Sequence, residues 1–109
     1  MPRIARQYWG PRNGRNVLNF NWPGVIDSHS TVIVTAGEYA RNDDPHAPHT
    51  DYPRFVGAAD IRVCNISPHG DTPGDVGGVT FVVDVDWGAP LHIVTDIIVL
   101  DPPEDIEIQ

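Results

Sequence analysis

The chain has 109 residues, 15 acidic and 7 basic, for a formal charge of −8. One domain is the natural division at this length. The acidic balance argues against nucleic acid and anionic membrane as partners, whose binders are basic. A single cysteine, Cys64, excludes an internal disulfide framework and any multi-cysteine metal site. No apolar run is long enough to span a membrane, and residues 1–10 lack the apolar stretch of a secretory signal, so a cytoplasmic location is expected.

Valine and isoleucine number 23 against 3 leucines, and Gly and Pro together number 21. β-Branched side chains fit a pleated strand better than a helix. Frequent Pro cuts the chain into short segments. The expectation is an all-β, single-domain antiparallel β-sandwich, immunoglobulin-like or a small barrel, with six or seven strands and little or no helix. Likeness to immunoglobulin-type sandwiches at this level is architecture only and implies no activity.

Residues 1–15 hold Arg3, Arg6, Arg12 and Arg15 and no acid, a side-chain charge of +4. Residues 16–109 hold three Arg and fifteen acids, a charge of −12. The first segment reads as an Arg-rich arm and the second as the sandwich domain. Ile4 to Trp9 in the arm can form a strand. Asn16 to Trp22 reads as the next, ended by Pro23-Gly24, and Thr31 to Tyr39 as another. Gly37 to Asn42 is the sole helical candidate, one turn. Arg41 to Arg54 is the longest irregular stretch. Phe55 to Ile66 reads as a strand with Gly57, Ala59, Ile61 and Val63 on one face. Val79 to Trp87 and Leu91 to Leu100 follow, and Ile106 to Ile108 is a candidate edge strand.

Gly88-Ala89-Pro90 reads as a three-residue hairpin loop joining Val79–Trp87 to Leu91–Leu100. That register pairs Val85 with Ile93, Val83 with Thr95, Phe81 with Ile97 and Val79 with Val99 on a core face. The opposite face pairs Asp86 with His92, a pH-sensitive carboxylate–imidazole couple. Further along it carries Val82, Val94, Ile98 and Leu100. An apolar second face of this size marks an interface. Either a second subunit covers it, or the chain's own arm (Ile4, Tyr8, Trp9) or tail (Ile106, Ile108) does. The arginines of the arm, Arg3 and Arg6 among them, are expected to dock on carboxylates of the same or a neighbouring body.

Chemical motifs are sparse. His46, His49, Asp51 and Asp43 lie close together in a proline-stiffened loop and suit zinc or another transition ion. The loop from Gly70 to Gly78 offers oxygens to calcium but lacks the EF-hand spacing, and Gly and Asp are also what tight turns require. Asp27-Ser28-His29-Ser30 juxtaposes triad-type residues without a nucleophile elbow and reads as a polar turn. Cys64 reads as a small packing residue. Trp9, Trp22 and Trp87 could supply a sugar-stacking ring.

Three functional readings follow. The first is a non-enzymatic module that self-associates or binds a protein or carbohydrate, through Val82, Val94, Ile98 and Leu100 with Tyr8, Trp9, Arg3 and Arg6. The second is a small metal-dependent or acid–base enzyme built on His46, His49 and Asp51. The third is a lectin-like sugar binder. The first needs no cofactor.

Overall fold

Alternation of β-branched residues with polar ones, interrupted by Gly and Pro, builds seven strands and, among the described residues, no helix. The computed structural model describes residues 1–41 and 51–109. The strands are β1 (Arg3–Arg12), β2 (Gly14–Asn21), β3 (Val32–Tyr39), β4 (Arg54–Phe55), β5 (Asp60–His69), β6 (Gly78–Asp86) and β7 (Leu91–Val99). They form two antiparallel sheets, ordered β1-β7-β3-β4 and β2-β6-β5. The all-β sandwich read from composition is what the chain adopts. Its strand order is not the ABED/CFG order of immunoglobulin domains.

The expected hairpin between Val79–Trp87 and Leu91–Leu100 does not form. β6 pairs with β2 and β5, whereas β7 pairs with β1 and β3. The Gly88-Ala89-Pro90 loop therefore carries the chain from one sheet to the other. Chain reversal at Asn13 does the same between β1 and β2, where Gly14 takes φ +68°. The inward faces are nonetheless the expected ones. Val79, Phe81, Val83 and Val85 on β6 and Ile93, Thr95, Ile97 and Val99 on β7 are all buried. They meet across the core instead of side by side. Leu18, Ile26 and Val34 complete that core. Burying each large aliphatic contributes roughly 1.5–3 kcal/mol. Thr95, wholly buried, has its hydroxyl satisfied by the Trp9 indole N–H at 2.8 Å.

Several local expectations change with this topology. Residues 3–12 are a strand in register with β7, from Arg3 opposite Val99 to Arg12 opposite Leu91, and not a separate arm. A bulge between Tyr8 and Gly10 interrupts the pairing. Gly37, Glu38 and Tyr39 belong to β3, so no helical turn begins at Gly37. The Phe55–Ile66 segment divides. Phe55 pairs with Glu38 in one sheet, and β5 starts at Asp60 in the other. β5 then bulges at Asn65, which takes φ +56°, and runs on to His69. Cys64 is exposed, not packed. Ile106 to Ile108 is outside any strand, with Ile106 76 % and Ile108 94 % exposed.

Candidate association surface

Register places three residues from three strands in each outward row of the β1-β7-β3 sheet. One row is Tyr8, Val94 and Gly37; the next is Arg6, Asp96 and Thr35; the next is Ile4, Ile98 and Ile33. Because successive residues of a strand point to opposite faces, all nine share the outer surface. The rows differ sharply in what covers them.

The first row is closed over by the chain itself. Tyr8, Tyr39 and Tyr52 pack edge-on and stacked, with ring centroids 4.8 to 5.5 Å apart, and His92 tilts against Tyr39 at 5.3 Å. Val94, the centre of this row, is almost completely buried, and over Gly37 lies the Arg54 side chain, its Cδ 3.7 Å from where a Cβ would sit. The Tyr8 hydroxyl donates to Asp51 and accepts from the Tyr52 N–H at 2.7 Å. Burial, followed by that bond to Asp51, pushes the phenol pKa up.

The second row is an ion network. Arg6 donates from Nε and Nη2 to both oxygens of Asp96, at 2.7 and 3.1 Å, and from Nη1 to Asp51 at 2.8 Å. Arg54 donates to Asp96 at 2.8 Å. Such forked pairing is directional and stronger than neutral hydrogen bonding. Arg6 holds the Asp96 carboxyl below the usual carboxylate range, with Arg54 adding to the effect. Tyr8 and Arg6 do the same for Asp51. The expected docking of Arg6 on the body is thus observed within one chain. Arg3 takes a different seat, its guanidinium 5.3 Å from the Trp22 ring centroid.

The third row has no such cover. Ile4 is 64 % exposed and Ile33 45 %, Ile98 is half-buried between them, and Leu100 beyond is 36 % exposed. Three isoleucines abreast with a leucine at their end make a continuous apolar stripe. The expected interface residues therefore separate. Ile98 and Leu100 remain on an open face. Val82 and Val94 are buried within the chain, Val82 lying between its register partners Val17 and Cys64. Tyr8 is part of the lid. Trp9 packs edge-on against Phe81 as a core residue. The pairing rule that Ile4 and Ile33 satisfy was visible in their strands, but the order of the strands was not.

Asp86 and His92 do not form the expected pair. Asp86 stands opposite Asp60 in one sheet and His92 opposite Pro11 in the other. Two other histidines face aspartates, His29 and, in the less exposed pairing, His69. Its Nδ1 lies 2.8 Å from Asp75 and its Nε2 2.7 Å from the Asn19 Oδ1, which also accepts from Thr80 at 2.9 Å. Asp75 further accepts from the Gly77 N–H, and this bond and His69 lower its pKa. Nearby, Asp71 accepts from Ser28 and faces His29 Nε2 at 3.1 Å. Aspartate, not histidine, is the middle member there, so serine gains no base. The Gly70–Gly78 loop and the Asp27–Ser30 turn are thus packed as mutual partners, joined by the Gly70 and Gly77 backbones against Ile26 and Asp27.

Of the metal-loop residues, His46, His49 and Asp43 lie outside the described residues, and Asp51 is engaged by Arg6 and Tyr8. Among the described residues no group of three or more His, Cys, Asp or Glu side chains is placed to hold a metal ion. No helix among them is long and apolar enough to cross a membrane. Comparison with protein-family models, curated proteins and solved structures finds no match to this chain.

Proposed function

We propose that the chain is a non-enzymatic association module whose contact surface is the outer isoleucine stripe, Ile4, Ile98, Ile33 and Leu100, and that it self-associates through that surface. The observation that carries this reading is the contrast within one sheet. Two outer rows are covered by aromatic rings and paired charges of the chain itself, while the adjoining row is apolar and open. An apolar side chain gains from leaving water, and contiguous apolar area on a small protein marks contact sites. The Arg6–Asp96–Arg54 network borders the stripe and supplies the polar rim that such surfaces have.

Light scattering of the full chain tests this. The wild type should show a mass above that of the 12.0 kDa chain at micromolar concentration. Ile33→Asp should shift it to the monomer while its circular dichroism is retained, since position 33 is exposed. A monomeric wild type would defeat the proposal. A carbohydrate ligand has less support. Of the three tryptophans, Trp9 is engaged with Phe81 and Trp22 with Phe20 and Arg3, leaving Trp87, 44 % exposed, as the open ring.

A further inference from the structure

A free strand edge adjoins the isoleucine stripe. β1 is the terminal strand of its sheet, paired on one side with β7 only. Edges of this kind invite addition of another strand unless something blunts them. Of the other edges, β4 has two residues, and β5 carries its bulge and Pro68. β2 is regular, but it lies in the other sheet, away from the isoleucine stripe, and carries one arginine against the three of β1. β1 is blunted only at its far end, by the bulge between Tyr8 and Gly10 and by Pro11. Its first part, Arg3–Gln7, is regular.

The chain also owns an unused strand-like segment. Residues 101–109 read Asp-Pro-Pro-Glu-Asp-Ile-Glu-Ile-Gln, with four acids and no base. Ile106 and Ile108 alternate with Glu107, the pattern of a half-buried strand, yet both are almost fully exposed. β1 has three arginines and no acid.

Resting on the self-association reading, we infer that the C-terminal tail of a second copy adds antiparallel to the free edge of β1. Setting Ile106 opposite Ile4 fixes the rest of the register. Glu104 falls opposite Arg6 and Glu107 opposite Arg3, both opposite-charge pairs. Asp105 falls opposite Ala5, and Pro103 lies opposite Gln7, where the regular part of β1 ends. One alignment thus extends the isoleucine stripe to a fourth strand and matches both charges. It also extends the stripe beyond its four side chains, toward the roughly 1,200 Å² that specific interfaces bury.

The tail cannot make these pairings within its own chain. Asp101 is held beside the start of β1 by the Met1 amine. Residue 104 would have to reach the level of Arg6, about 16 Å further along a strand at roughly 3.3 Å per residue. Three residues span about 11 Å at most. The residues preceding Pro102 and Pro103 are held extended, which adds to the obstacle. A two-fold dimer satisfies both tails, each on the other copy's β1.

The test is sedimentation equilibrium of the full chain and of five variants: Glu107→Arg, Arg3→Glu, the double Arg3→Glu/Glu107→Arg, Ile106→Asp and Ile33→Asp. Position 107 lies outside the folded sheets, so its substitution leaves the fold intact, and circular dichroism verifies Arg3→Glu. The wild type should be a dimer of twice 12.0 kDa. Each single charge reversal acts at two symmetric contacts and should weaken the dimer about fivefold or more. The double reversal should recover most of that loss, and Ile106→Asp should be monomeric. Unchanged dimers in the Ile106→Asp and Glu107→Arg variants, with dissociation by Ile33→Asp, would overturn tail exchange and leave the stripe as the contact. A wild type monomeric at every concentration would overturn both.

Discussion

Asp96 is the residue on which the outer face of the four-stranded sheet turns. Its side chain is 13 % exposed and receives Arg6 and Arg54. Asp96→Asn leaves two guanidiniums without their shared carboxylate. The arginines are 39 % and 37 % exposed, so water screens much of the loss, and about 1–2 kcal/mol of destabilisation is expected near neutral pH. The folded-state pKa of Asp96 is depressed, so its contribution is present above the unfolded carboxylate range near 3.9 and is lost as pH falls below it. Thermal unfolding of both proteins from pH 7 to pH 2.5 should show the gap closing below about pH 4. A constant gap would mean that the ion network is not its source. In the core, Phe81 is fully buried and touches Trp9. Phe81→Ala should cost about 3–5 kcal/mol in urea unfolding, from lost transfer energy and the cavity left behind.

At the level of elements, alternation told which way residues point and not which strand lies beside which. Val79 to Val85 and Ile93 to Val99 carry the same pattern whether they pair in a hairpin or face each other across a core. The three-residue Gly-Ala-Pro loop is compatible with either arrangement. Long-range pairing decides, and here β1 takes one flank of β7 while β2 takes one of β6. For the same reason the buried state of Val82 and Val94 was not legible, since it depends on Tyr8, Tyr39 and Tyr52 in one case and on Val17 and Cys64 in the other. Glycine positions were partly legible. Gly77 has φ +93°, and a Cβ there would sit 2.3 Å from the Ile26 carbonyl oxygen. Gly77→Ala therefore combines backbone strain with a clash against main chain. A loss of about 2–4 kcal/mol is expected by urea unfolding. A neutral substitution would show that the Asp27–Ser30 turn and the Gly70–Gly78 loop are not packed as described.

For the whole molecule, the charge split along the sequence is largely undone by folding. The basic first fifteen residues supply β1 and the start of β2, where Arg6 pairs with Asp96 and Asp51 and Arg15 stands opposite Asp84, and the acidic tail leaves β7 beside Met1. Part of the outer apolar stripe could be read from Ile98 and Leu100. Ile4 and Ile33 could join them only once β1 and β3 were known to flank β7. Self-association requires that stripe to be a contact surface, and the decisive measurement is the mass of the full chain in solution as a function of concentration. The mass should rise with concentration to twice that of the 12.0 kDa chain, and Ile33→Asp should abolish the rise. A mass of 12.0 kDa at every concentration, identical in wild type and variant, would contradict it.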